Sequence, residues 1–148
     1  MEADVPNKTM KSSMKINLLL LGLIVGLGAC SSGQKAQTID AKTFQNLIDT
    51  FPDEVVVDVR TTPELTAGVI SQAIHMDYNG PDFEKQIDKL DKNKPVMLYC
   101  ATGGRSASAG KLLMEKGFKK VYNLDGGLQG WRAAGVHRLA GSAATTGG

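Results

Sequence analysis

The chain has 148 residues, 42% apolar, 5% aromatic and 22% charged, with 17 basic residues against 15 acidic ones. That length suits one hydrophobic core, and a net charge of +2 makes no electrostatic case for nucleic acid. Its two cysteines exclude a disulfide-dense scaffold, no Cys/His cluster has zinc-ligand spacing, and the composition excludes collagen-like, coiled-coil and disordered classes.

Residues 1–13 are polar and carry no hydrophobic period. From Met14 the text changes: Lys15 is followed by an apolar run from Ile16 to Ala29, ending in small residues before Cys30. A charge, a short apolar run and small residues follow one another in signal-peptide order. The run is shorter than the roughly 20 residues of a membrane-spanning helix, so a cleaved leader is expected over residues 1–29. Met1, Met10 and Met14 each offer a start, and Met14-Lys15 opens the most compact leader. Leu27-Gly28-Ala29-Cys30 resembles the lipobox of bacterial lipoproteins, in which the cysteine becomes the lipidated first residue. That resemblance implies an envelope protein facing the periplasm, anchored in a membrane through Cys30; acyl chains supply the anchoring. Ser31-Ser32 after the cysteine, rather than Asp, implies outer-membrane sorting. The alternative is an ordinary secreted protein with a free Cys30. Residues 30–37, with Ser31-Ser32-Gly33-Gln34, are expected to form a flexible tether.

The domain expected over residues 38–136 alternates between β-rich and helical text. Thr38-Ile39 leads to Asp40, a good N-cap, and Phe44, Leu47 and Ile48 recur at helical spacing. Val55-Val56-Val57-Asp58-Val59 reads as a strand buried on both faces. Pro63 opens a short helical turn that Gly68 ends. Residues 73–76 make a weaker strand. Phe83, Ile87 and Leu90 mark an amphipathic helix, with Asp82, Lys85, Asp88 and Lys89 toward water. Residues 95–99 predict the next buried strand. Residues 106–116 predict a helix with Leu112, Leu113 and Met114 inward and Gly117 as its stop. A strand over 121–124 and a helix over 128–134 complete the domain, and residues 137–148 are expected to be a flexible, frayed tail. Such alternation predicts an α/β fold with a mostly parallel central sheet.

One constellation carries chemistry: strand 96–99, then Cys100-Ala101-Thr102-Gly103-Gly104-Arg105, then a helix from Ser106. Loops at the carboxyl ends of parallel strands form the binding crevice of such sheets. A cysteine there meets a helix N-terminus, whose partial positive charge and free N–H groups favour the nucleophilic thiolate. Gly103 and Gly104 let successive amides converge on one point, and Arg105 adds a permanent cation. The competing reading of a lone cysteine is a small buried apolar residue.

At these residues the domain resembles the single-domain rhodaneses, a family of sulfurtransferases. Residues 57–64 (Val-Asp-Val-Arg-Thr-Thr-Pro-Glu) resemble the first family box, and residues 67–75 continue it. Residues 98–106 (Leu-Tyr-Cys-Ala-Thr-Gly-Gly-Arg-Ser) match the active-site box, and Gly126-Gly127-Leu128-Gln129-Gly130-Trp131 with Ala134-Gly135 match the closing box. The resemblance implies a rhodanese-like α/β fold, helices on both faces of the sheet, and no cofactor or metal. It implies that Cys100 takes a sulfane sulfur as a persulfide and passes it to a thiophilic acceptor, a thiol or cyanide, with thiosulfate as one possible donor. Two departures stand out: Val69 occupies a position where a histidine is common, and Ala101 stands where a basic residue often follows the cysteine. The second departure weakens thiosulfate, a dianion, as the natural donor.

Arg105 has two readings, a ligand for an anionic donor or a brace paired with a carboxylate such as Asp58. Asp58 and Arg60 are expected to form a buried pair supporting the loop, since buried charges persist mainly when paired. His75 and His137 are expected to be satisfied structural residues, and Trp131 a core or rim residue. Two rival functions remain. Related phosphatases and arsenate reductases resemble Cys-x5-Arg, whereas only four residues separate Cys100 from Arg105. Non-catalytic rhodanese-like binding modules commonly lose the cysteine that this chain keeps. The expected partners are small sulfur compounds and, through Cys30, a membrane; the expected state is a monomer.

Overall fold

The computed structural model describes residues 35–136 and the backbone of residues 139–140. The expected leader, Cys30, most of the tether, His137 and the tail beyond residue 140 lie outside the described residues.

Runs of β-branched side chains, stiff at χ1, favour the pleated backbone. They form β2 (Val55–Asp58), which lies beside the apolar central strand β5 (Pro95–Tyr99). With β1 (Gln37–Ile39), β4 (Ile74–His75) and β6 (Lys120–Leu124) these make a five-stranded sheet of order β1-β6-β5-β2-β4. Every pairing in it is parallel, with Val57 beside Leu98 and Met97 beside Tyr122. The expected mostly parallel sheet is therefore wholly parallel among these five strands.

Side-chain alternation splits the core in two. Along β5, Val96, Leu98 and Cys100 face one side, with Val57, Val59, Phe83, Ile87, Ala109 and Leu113. Met97 and Tyr99 face the other, with Val56, Phe44, Ile48, Leu128 and Trp131. Helices α2 (Phe83–Ile87) and α3 (Gly104–Glu115) thus cover one face, and α1 (Ala41–Thr50) and α4 (Gly127–Ala133) the other. Each of these large side chains contributes about 1.5–3 kcal/mol by leaving water. Trp131 is wholly buried in an edge-to-face contact with Phe44, so of its two readings the core one holds.

Several local expectations shift. On α3 the buried residues are Ser106, Ala109, Gly110 and Leu113, one stripe at helical spacing. Leu112 and Met114 flank Leu113 by about 100° each; they pack against the same core as expected but stay half-buried. The helix begins at Gly104, two residues before the expected Ser106, because Gly103 supplies a left-handed turn at φ +95°. Pro63 opens a 3-10 turn (Thr62–Ala67) that ends at Gly68 with φ +90°. The amphipathic helix at Phe83 stops at Ile87, short of Leu90. Leu139–Ala140, expected in the frayed tail, pairs antiparallel with β3 (Val69–Ile70) as β7. Two residues are too short a stretch to give a strand signal in the sequence.

Candidate active site

Cys100 is the first residue past β5, where the parallel strands end, and is 1% exposed. The chain turns sharply there because Gly103 takes a positive φ. A side chain at Gly103 would also press on the Leu124 carbonyl, whose oxygen lies 3.2 Å from where a methyl would sit. The turn aims the Gly103 N–H at the sulfur, 3.1 Å from Cys100 Sγ. From the first turn of α3, Ser106 Oγ lies 3.4 Å from the same sulfur and 3.2 Å from the Gly103 carbonyl oxygen. Ser106 is wholly buried.

The carbonyls of the loop are tied down from outside. Leu128 N–H donates to the Cys100 carbonyl at 2.8 Å, and Gln129 N–H to that of Ala101 at 3.1 Å. These donors belong to the first turn of α4, which comes close because Gly127 has no side chain: a methyl there would lie 2.4 Å from the Cys100 carbonyl oxygen. With carbonyls turned outward, amides are left for the sulfur. Burial pushes the Cys100 thiol up, but the Ser106 hydroxyl and the amides of Ser106, Thr102 and Gly103 outweigh it, so its pKa lies below the ordinary thiol value. The reading of Cys100 as a mere apolar filler does not account for these polar contacts. Ala101 is half-buried, while Thr102 and Gly104 are exposed on the rim.

Two guanidinium–carboxylate pairs stand behind the loop. Arg60 Nε donates to both oxygens of Asp58, at 2.9 and 3.0 Å, and its Nη2 to Oδ2 at 2.6 Å. Its remaining donors reach the carbonyls of Glu64, within the 3-10 turn, and Gly68, just past it, at 2.9 and 2.8 Å. Both residues of the pair are 1% exposed. The guanidinium lies 5.7 Å from the Tyr99 ring centre, and the Tyr99 hydroxyl accepts the Ile70 N–H at 3.0 Å. This buried pair holds the turn. His75, 2.7 Å from the Arg60 carbonyl through Nε2, belongs to the same support.

Arg105 pairs with a carboxylate, but with Glu64 and not with Asp58, which Arg60 already saturates. Its Nη1 donates to Glu64 Oε2 at 2.8 Å and its Nη2 to Oε1 at 2.7 Å. Glu64 Oε2 also accepts the amide and hydroxyl of Thr61, at 3.0 and 2.7 Å. Arg105 foremost, with Thr61, holds the Glu64 carboxyl down at about 2. Sequence reasoning missed Glu64 and Ser106 as site residues. The signal for Glu64 was its place three residues after Thr61, the spacing of a capping box. For Ser106 it was a hydroxyl in the first turn of the helix that follows the cysteine loop. Among the described residues no group of acidic, His or Cys side chains could hold a metal.

Residues 40–134 match the Rhodanese-like domain family. The tRNA uridine(34) hydroxylase of Pelagibacter ubique is 36% identical over 105 residues, 70% of this chain but only 35% of that protein. Thiosulfate sulfurtransferase GlpE of Coxiella burnetii is 38% identical over 81 residues, covering 55% of this chain and 74% of the relative. Among solved structures, the polysulfide-sulfur transferase homodimer of Wolinella succinogenes matches at TM-score 0.62 and 32% identity, over 76% of this chain and 83% of that one.

Proposed function

This chain belongs to the rhodanese-like domain family, and on that premise we propose that it is a sulfurtransferase that carries sulfur through a persulfide on Cys100. The observation that supports this most is the buried Sγ facing the Gly103 amide and the Ser106 hydroxyl. In the first half-reaction the thiolate attacks the outer sulfur of a sulfane donor. A bond forms between Sγ and that sulfur, the donor's S–S bond breaks, and its electron pair leaves with the departing group. In the second half, cyanide or a thiolate attacks the terminal sulfur of the persulfide and Cys100 returns to thiolate. Fixed amides suit the charge on sulfur in both halves, since they need no reorganisation as it moves. Ala101, Thr102, Gly103 and Gly104 form the cradle; Asp58 and Arg60 hold the 3-10 turn beside it; Arg105 braces the turn through Glu64. Relatives named for thiosulfate and for polysulfide support sulfane sulfur as the donor class.

Incubation with thiosulfate or a hydropersulfide followed by intact mass is expected to add one sulfur atom to the wild type and none to Cys100→Ser. Turnover with cyanide should vanish in that variant while its melting temperature stays near wild type. Wild-type turnover in Cys100→Ser overturns the assignment.

The proposed setting is the bacterial cell envelope, the domain facing the periplasm as a monomer anchored through lipidated Cys30, with the outer membrane favoured. Support comes from the Leu27-Gly28-Ala29-Cys30 motif and from Ser31-Ser32 after it. Expressed in a bacterium that processes lipoproteins, Cys30→Ala should leave the membrane fraction. Equal membrane retention of variant and wild type speaks instead for an uncleaved anchor.

A further inference from the structure

The parallel sheet sorts the charges of the domain by end. Cys100 lies where the strands finish, and the guanidiniums near it are paired with carboxylates. The end where the strands begin carries lysines instead. In sheet order, Lys35 precedes β1, Lys119 and Lys120 lie at the start of β6, and Lys92 and Lys94 precede β5. All five are exposed, and none forms an ion pair among the described residues. The other lysines on α3 are matched, Lys116 by Glu84 and Asp88 and Lys111 by Glu115.

Backbone contacts hold the five in one row. Gln37 pairs with Tyr122 in parallel, which sets Lys35 beside Lys120 two residues earlier. Ala36 fixes that entry against α3, where a methyl at Gly110 would come within 2.8 Å of its Cβ. Pro95 pairs with Lys120, so Lys94 adjoins Lys119. The Lys119 N–H donates to the Lys92 carbonyl at 2.9 Å. Lys92 Nζ donates to the Lys116 carbonyl at 2.8 Å and lies 5.9 Å from the Phe118 ring centre. Asp91, in the same turn, has one carboxylate oxygen bonded to Asn93. The row stops at β2, which Asp53 and Glu54 precede.

We propose that this lysine row docks on anionic lipid headgroups of the membrane in which Cys30 is anchored, so that Cys100 faces away from the bilayer. The inference rests on the anchoring reading above and adds a surface, a lipid class and an orientation to it. Reach and charge both support a lipid surface. Five steps carry the chain from Cys30 to Lys35, at most about 18 Å, and about 12 Å on average for flexible text. That average is comparable with the Debye length of about 8 Å at physiological salt, so the anchor keeps the row within range of surface charge. Anchoring also makes the contact intramolecular, so a weak patch suffices. A protein partner is the poorer match, because lysine is depleted at protein interfaces and the row offers no aromatic anchor. Cys100 lies six residues beyond Lys94, about 20 Å along the strand direction. Docking therefore leaves the cradle open to soluble sulfur compounds.

The test is amine footprinting of the chain expressed in a bacterium that processes lipoproteins, purified and placed in vesicles. Initial acetylation rates of single lysines are read by peptide mass, on vesicles of phosphatidylcholine alone or mixed with phosphatidylglycerol. Lys94, Lys119 and Lys120 should react about fivefold more slowly on the anionic vesicles, the worth of one lysine near such a surface. Lys42, in the first turn of α1 at the opposite end, should react at an unchanged rate. High salt should remove the difference. In Lys35→Gln/Lys94→Gln/Lys119→Gln/Lys120→Gln, the remaining Lys92 should lose most of its protection while Cys100 loads sulfur as in wild type. Equal rates on both vesicles, protection of Lys42 as strong as that of the row, or protection that survives high salt overturns the proposal. So does protection in native membranes without protection on anionic vesicles, which assigns the row to a protein partner. The wild-type comparison depends on no variant folding. Intact mass separates the premise from the proposal. A chain without acyl groups on Cys30 defeats the anchoring reading, whereas an acylated chain with an unprotected row defeats the orientation alone.

Discussion

Ser106 has one proton and two acceptors within reach, the Cys100 sulfur and the Gly103 carbonyl. When Cys100 is a thiolate or persulfide anion, charge draws that proton toward sulfur. Ser106→Ala should therefore raise the pKa of Cys100, moving the pH profile of its alkylation by iodoacetamide upward. Sulfur loading near neutral pH should fall about three- to tenfold, the worth of one hydrogen bond. An unmoved alkylation profile would reduce Ser106 to a helix-terminus residue. Much of the site is legible at this scale: a cysteine after a buried strand, followed by two glycines and a helix, gives the nucleophile and its amides directly. What is not legible is partnership. Arg105 and Glu64 are 41 residues apart in sequence, and Asp58 competes as a partner on paper. Only the geometry of Arg60, which fills Asp58, assigns the second carboxylate to Arg105.

The 3-10 turn and α4 are the elements that hold the loop, and each makes its own prediction. The turn is tied to α3 through Glu64, whose folded carboxyl titrates at about 2 against an ordinary 4.5. A depressed carboxyl contributes stability above its unfolded value and loses it as pH falls through the folded one. Glu64→Gln should melt below wild type at neutral pH, and the gap should close between about pH 4.5 and 2. A gap that stays constant across that window contradicts the tie. For α4 the contact is steric. Gly127→Ala puts a methyl 2.4 Å from the Cys100 carbonyl oxygen at a residue with φ +54°, so the loop must move. The expected cost exceeds about 2 kcal/mol in urea unfolding, with sulfur loading reduced in the folded fraction. Gly104 is the contrast: a methyl there meets nothing within 4 Å and its φ is ordinary. Gly104→Ala at the start of α3 should stabilise by about 0.4–1 kcal/mol.

Across the whole molecule, the valine run at residues 55–57 and the Pro95–Tyr99 strand carry the fold class in plain text, because strands buried on both faces leave no room for polar alternation. Strand order is not written there. Gln37–Ile39 is short and mostly polar, and its place beside Lys120–Leu124 depends on backbone pairing that side chains do not advertise. Leu139–Ala140 escapes notice for the same reason. The position of β1 has a consequence in time. Its one neighbour in the five-stranded sheet is β6, and the Ile39 carbonyl is met by the N–H of Asp125. On the ribosome, then, the first strand of the domain waits without a sheet partner until residues 120–125 have emerged. Closing that long loop costs chain entropy before any pairing offsets it. The sheet can be completed only once those residues have emerged, and until then the edges of β1 and β5 that β6 will cover remain open to chaperones.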